Sequence, residues 1–162
     1  MWHLSLFEPA ELIQVAVEIE KSGAATYRRL QEKTVSAPLK ELLAVLAAEE
    51  EQHQRDFLAL GQDLSLADPP ETYPGEYLDY VRSLVETHLF SDANILEKMV
   101  GEARTEKEIL ILAARLEKDT ILFFNGMMRV IKPEKQGVIK SLIAQEENHL
   151  TKLGILLKEA SK

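Results

Sequence analysis

Cysteine is absent from the chain. That excludes disulfides, thiolate metal sites and a thiol nucleophile within these 162 residues. Glycine is scarce, at seven residues, and aromatics make up only 6%. With 46% of residues apolar, this balance points to a helix-prone globular chain and away from disorder. Positive charge is also in deficit. A net charge of −8 argues against nucleic acid and anionic membrane as partners. No apolar run approaches the roughly 20 residues of a membrane span. The opening "MWHLSLFEPAEL" lacks the basic region and long apolar stretch of a signal peptide. A soluble cytoplasmic protein is expected. No segment reads as a strand, and there is no nucleophile triad or phosphate loop.

What is present is helical periodicity, with clear punctuation. The length suits one domain with a real core. A first long helix is expected from about Pro9 to Lys33, proline sitting in its first turn. "VSAP" at 35–38 ends it. A second is expected from about Pro38 to Leu60, with Gly61 as its C-terminal stop. A proline-rich polar linker follows, then the short amphipathic "EYLDYVRSLVETHLF", packing Tyr77, Val81, Leu84 and His88 inward. "SDANILEKMVGEAR" reads as a helical lead-in, broken or bent near Gly101. "TEKE" at 105–108 is a capping box. It opens a third long helix that runs to about Ile131. "KPEK" turns the chain, and a fourth runs from Pro133 to about Glu159.

Read at steps of three and four, each long helix yields an apolar seam interrupted by one glutamate. The seams are Ile13, Ala16, Glu20, Gly23, Tyr27, Leu30; then Leu39, Leu43, Leu46, Glu50, His53, Phe57, Leu60; then Leu110, Ala113, Glu117, Thr120, Phe124, Met127, Ile131; and Ile139, Leu142, Glu146, His149, Leu153, Leu156. The second and fourth add a histidine three residues after the glutamate, on the same face. A lone Glu-x-x-His is usually a solvated charge pair, and the flanking Glu49, Glu51, Gln145 and Glu147 are read as solvated. Four seam glutamates are different. One ionised, unpaired carboxylate in a core costs several kcal/mol. Four would consume most of a net stability of roughly 5–15 kcal/mol. No lysine or arginine occupies a seam position, so two divalent metals, with two neutral imidazoles, are expected to supply the balance.

Register agrees. Glu20 and Glu50 are equidistant from Val35, and Glu117 and Glu146 are centred on the 131–132 turn, so each pair is level in an antiparallel hairpin. The hairpins are also copies of one pattern. "EIEKSGAATY" at 18–27 echoes "RLEKDTILFF" at offset 97, and "AEEEQH" at 48–53 echoes "AQEENH" at offset 96. The expected fold is all-α: a four-helix bundle with a long crossover between the second and third long helices and a di-metal site inside.

Glu20 with Tyr27, Glu50-x-x-His53, Glu117 with Phe124, and Glu146-x-x-His149 together resemble the rubrerythrin-type members of the ferritin-like di-iron carboxylate superfamily. The resemblance covers both hairpins. It implies two irons (manganese or zinc being alternatives), bridged by Glu50 and Glu146. Glu20, Glu117, His53 and His149 would be terminal ligands, and Tyr27, standing behind them, the candidate catalytic side chain. Three departures accompany it. Rubrerythrins usually carry a further glutamate where Thr120 stands, its counterpart here being Gly23, which leaves the peroxidase route open. The appended four-cysteine rubredoxin domain of many rubrerythrins is not in this sequence, so electrons are expected from an external electron-transfer protein. Glu51 stands where bacterioferritin has its haem-binding methionine, so no haem is expected.

The resemblance implies an oxidoreductase reducing peroxide or dioxygen, expected as a homodimer. The alternative is a ferroxidase-type iron-storage subunit, which needs a closed shell of many copies. A third reading is a structural bundle with a vestigial site. His3 and His88 are expected at the surface or in packing, Met127 and Met128 in the core, and Tyr73, Tyr77 and Tyr80 in packing of the crossover.

Overall fold

The computed structural model describes residues 8–69 and 71–160. His3 lies outside them. The elements are α1 (Pro9–Lys33), α2 (Ala37–Gly61), α3 (Glu76–Thr87), a short 3-10 turn (Leu89–Ser91), α4 (Ala93–Glu102), α5 (Glu106–Met128) and α6 (Gln136–Glu159). The described residues hold no strand, only an isolated antiparallel bridge between Leu66 and Ile131. No helix among them is long and apolar enough to cross a membrane. The architecture is a ferritin-like four-helix bundle. α1 packs along α2 and α5 along α6, and the two hairpins then meet through α1 with α5 and α2 with α6.

Local chemistry sets the helix ends. Pro9 opens α1, and the Glu11 carboxylate accepts the Glu8 N–H at 3.4 Å. Val35, 98% exposed, is the hairpin tip. Pro38 lies in the first turn of α2. Gly61 is the last residue of α2, as expected. What it provides is proximity: a Cβ there would meet Ile13 Cγ2 at 2.9 Å, so only glycine lets this end of α2 lie on α1. The break expected near Gly101 comes just after it. α4 runs through it to Glu102, and Lys33 Nζ donates to the Val100 and Gly101 carbonyls, a cation on the end of the helix where free carbonyls gather. The break falls at 103–105, before the Thr105–Glu108 capping box, in which Thr105 accepts the Glu108 N–H at 3.2 Å and Glu108 accepts the Thr105 N–H at 2.9 Å.

The third long helix ends at Met128, short of Ile131. The crossover is the cause. Ala67 N–H donates to Val130 O at 2.7 Å, and Val130 and Ile131 are drawn out of the helix yet stay buried. α6 begins at Gln136 and not at Pro133, because Lys132 O accepts from Lys135 N–H in a turn before the helix starts. Such ends depend on tertiary partners, which periodicity does not record.

The crossover packs only in part as expected, because Tyr73 and Tyr80 are exposed and of the three tyrosines only Tyr77 is buried. Tyr77, Val81 and His88 are buried, while Leu84 is only partly so. The Tyr77 hydroxyl donates to Gly126 O, and the Arg129 guanidinium lies 5.4 Å from the Tyr77 ring centre and 5.6 Å from that of Tyr80. His88 is a packing residue. Its Nδ1 accepts the Phe90 N–H at 3.2 Å, and burial lowers its pKa to about 3, so the ring is neutral. Met127 is core and Met128 half-buried against it.

Candidate metal centre

The seam residues keep their expected side. Glu20 on α1, Glu50 and His53 on α2, Glu117 on α5, and Glu146 and His149 on α6 are all buried, none more than 4% exposed. They converge. His53 Nδ1 lies 3.2 Å from Glu20 Oε2, 2.8 Å from Glu146 Oε1 and 3.7 Å from Glu50 Oε2. His149 Nδ1 lies 3.0 Å from Glu146 Oε2, 3.6 Å from Glu117 Oε1 and 3.9 Å from Glu50 Oε1. The two imidazole rings are 5.9 Å apart between centres and near parallel, at 18°.

The donors fall into two overlapping sets. One is Glu20, Glu50, His53 and Glu146; the other is Glu50, Glu117, Glu146 and His149. Within each, four donor atoms lie within 4.8 Å of one another. Glu50 and Glu146 belong to both. Each turns one oxygen toward each histidine: Glu50 offers Oε2 to His53 and Oε1 to His149, and Glu146 offers Oε1 to His53 and Oε2 to His149. That is the disposition of a carboxylate spanning two cations. Three carboxylates and one imidazole form an oxygen-rich set suited to a divalent first-row metal. The hydrogen-bond inventory points the same way. Glu20 Oε1 and Glu117 Oε2 are buried oxygens without a hydrogen bond, and lone pairs of this kind need a partner.

Protons can offset the buried carboxylates when no metal is bound. Burial raises Glu20 to about 7, against hydrogen bonds from Glu50 and His53 that hold it back. Burial, with the neighbouring Glu20 and Glu146 charges, holds Glu50 well above the usual carboxylate range, and burial does the same to Glu117. Burial also works against an ionised Glu146, but hydrogen bonds from His149 and His53 outweigh it and keep that carboxyl below its ordinary value. Burial disfavours both imidazoliums. Glu117 and Glu146 nonetheless raise His149 to about 10, and Glu146, Glu20 and Glu50 raise His53 further. Without metal, the surroundings therefore favour charged imidazoles and an ionised Glu146, and favour the protonated forms of Glu50 and Glu117. Metal entering this site must displace those protons.

Tyr27 is fully enclosed, and its hydroxyl donates to Glu117 Oε1 at 2.6 Å. Burial, then the Glu117 and Glu50 charges, push its pKa far up, so it remains an O–H donor. Phe124, its counterpart in the repeat, has no hydroxyl and packs on Phe57 with ring centres 4.8 Å apart. Thr120 is buried three residues after Glu117 on α5, and a Cβ added at Gly23 would lie 3.4 Å from Glu50 Cδ. The Gly23 backbone thus passes directly alongside the shared Glu50.

Two flanking residues depart from expectation. Glu49 and Gln145 are not simply solvated. Glu49 Oε2 sits 2.7 Å from His149 Nε2, and Gln145 Oε1 sits 3.3 Å from His53 Nε2. Each histidine is thus held from the opposite hairpin, by the residue just before a cluster glutamate. The repeat contained the signal, because positions 49 and 145 are equivalent, but one helical step off the seam looks solvent-facing. Glu51 does face outward, paired with Arg28, and Glu147 is exposed.

With this geometry in place, comparison with known proteins gives the family. The rubrerythrin family model matches residues 11–157. Among solved structures, a chain from Thermotoga maritima described as a ferritin-like diiron-carboxylate protein is similar over 98% of this chain and 99% of its own. The TM-score is 0.65 at 23% sequence identity, which speaks to the shared fold. A search of curated proteins finds no match. The family match spans both hairpins and every residue of the buried cluster, and the chain belongs to the rubrerythrin family.

Proposed function

We propose that the chain is a di-iron oxidoreductase that reduces peroxide or dioxygen with electrons from a separate electron-transfer protein. One iron would be held by Glu20, Glu50, His53 and Glu146, the other by Glu50, Glu117, Glu146 and His149. The observation that carries the reading is the double use of Glu50 and Glu146, each with one oxygen toward each histidine. Two ions on shared carboxylates form a coupled pair, and the enclosure of all six side chains suits resident ions rather than ions in transit.

A bound iron pair supplies the two electrons that peroxide reduction to water consumes, and the external donor restores them. The protein's part is to hold geometry and protons. The hairpins fix the carboxylates from four helices. Tyr27 keeps an O–H on Glu117 Oε1 and is the proton donor within the enclosed site. We place the protein in the cytoplasm as a homodimer. The native mass tests that assembly and separates it from a storage shell, which would be many times larger.

The direct experiment is anaerobic reconstitution with iron(II), followed by stepwise hydrogen peroxide. The expected result is oxidation of both irons by one peroxide, reversed by a reductant. Continued iron uptake far beyond the two sets, in a large shell, would instead establish storage. Tyr27→Phe gives a second test. Metal content should stay at the wild-type level, because Tyr27 is in neither set. Reoxidation by peroxide should slow on the order of 10²-fold, the usual reach of a positioned proton donor. An unchanged rate would reduce Tyr27 to a packing residue.

A further inference from the structure

The two halves of the cluster are copies by sequence, but the groups supporting them are not. Two independent breaks in the repeat fall on the same side. The first lies behind the histidines. His149 Nε2 faces the Glu49 carboxylate at 2.7 Å, whereas His53 Nε2 faces the Gln145 amide oxygen at a looser 3.3 Å. A carboxylate on the far nitrogen of an imidazole makes the near nitrogen a stronger donor, and a neutral amide does so less. The second lies behind the terminal carboxylates. Glu117 is held by Tyr27 at 2.6 Å. The equivalent support for Glu20 is missing, since Phe124, which has no hydroxyl, occupies the matching position.

Building on the two-metal reading above, we infer that the two positions are unequal. The position made by Glu117 and His149 binds first and tightest, because Glu49 strengthens its imidazole donor. The position made by Glu20 and His53 fills second and empties first. Tyr27 adds to this by fixing Glu117 before metal arrives, a contact for which Phe124 offers Glu20 no counterpart. Glu49 is thus a positioning residue, acting on the metal through His149. Its side chain is 40% exposed, so solvent moderates its charge, but the short hydrogen bond keeps it aligned on the ring. The same exposure makes it a site where substitution leaves the core packing intact.

Cobalt(II), followed by its visible spectrum and by calorimetry at fixed pH, is the probe. Wild-type protein should take up cobalt in two resolved steps. Glu49→Gln should weaken the first step about 10–100-fold, the usual cost of losing such a partner, and merge it with the second. Gln145→Glu should do the reverse and tighten the second step. Glu49→Asp should restore part of the lost affinity, which a general packing defect would not show. Two cobalt ions bound with equal affinity would overturn the inequivalence alone, as would a Glu49→Gln variant with both steps unchanged. Absence of cobalt binding by folded wild-type protein would overturn the two-metal reading, and this inference with it.

Discussion

Glu50→Gln combined with Glu146→Gln should bring metal content from two ions per chain to nearly none. These residues are the two shared by both sets, so the pair of substitutions removes half the donors of each. Glutamine preserves size and shape. A packing role therefore predicts a folded, metal-binding protein, and a bridging role predicts a folded one without metal. The two positions differ in the metal-free state. Burial and its neighbours' charges favour the neutral acid at Glu50, so an amide there should leave stability nearly unchanged or slightly improved. Glu146 is the ionised carboxylate that touches both imidazoles and helps keep them charged, alongside Glu117 at His149 and Glu20 at His53, and its loss should let both histidines lose protons more easily. Glu51→Gln with Glu147→Gln is the control. Glu51 loses only a surface pair with Arg28 and Glu147 is exposed, so metal should remain. Glu49 is unsuitable for that control because it touches His149. If the control pair lost metal and the seam pair kept it, the assignment would be displaced by one residue along both helices.

Metal should also change thermal stability strongly, and more at higher pH. If both positions are saturated about a hundredfold over their dissociation constants, mass action adds about 5 kcal/mol, which in a chain of this size corresponds to roughly 10–20 °C in Tm. The pH dependence follows from the proton inventory. Glu20 titrates at about 7 in the fold, above its ordinary 4.5, and Glu50 and Glu117 are raised further. A raised carboxyl contributes stability that is fully present below its ordinary pKa and is lost as pH climbs through the folded value. His149, raised to about 10 from 6.5, acts in the same direction above neutrality. Glu146 is lowered, so its contribution is lost only in acid, below 4.5. Between about pH 5 and 8 the metal-free protein should therefore melt progressively lower. Over the same range metal has fewer protons to displace and binds more tightly. The melting curves of chelated and metal-loaded protein should diverge as pH rises. Superimposable melts at pH 8, with and without chelator, would mean the cluster binds no metal of consequence.

The buried ligand set could be read from the sequence because it lies on a periodic feature. Glu20, Glu50, Glu117 and Glu146 interrupt otherwise apolar seams, and helix geometry carries them to the core whatever the rest of the chain does. Equal distances from the hairpin turns put them at one level. What could not be read depends on contacts between distant segments. Val130 and Ile131 leave the helix because residue 67 claims the Val130 carbonyl. Gly61 is required by the Ile13 side chain rather than by a turn. Glu49 and Gln145 look solvent-facing on their own helices and become partners only when the opposite hairpin brings a histidine to them. The charge balance was legible only in part. Counting carboxylates showed a deficit of positive charge, but not that the histidines could fill it with protons.

The hydrogen bonds that tie the hairpins together span large separations: 90 residues for Tyr27 to Glu117, 92 for His53 to Gln145 and 100 for His149 to Glu49. Contacts inside each hairpin close much shorter loops, so each hairpin can assemble early and quickly on its own. The centre exists only after the two meet, which places it late on the folding route. Interactions absent from the transition state act on the reverse rate. Bound ions should therefore leave the speed of folding almost untouched and lengthen the lifetime of the finished protein, as a latch closed last must be opened first.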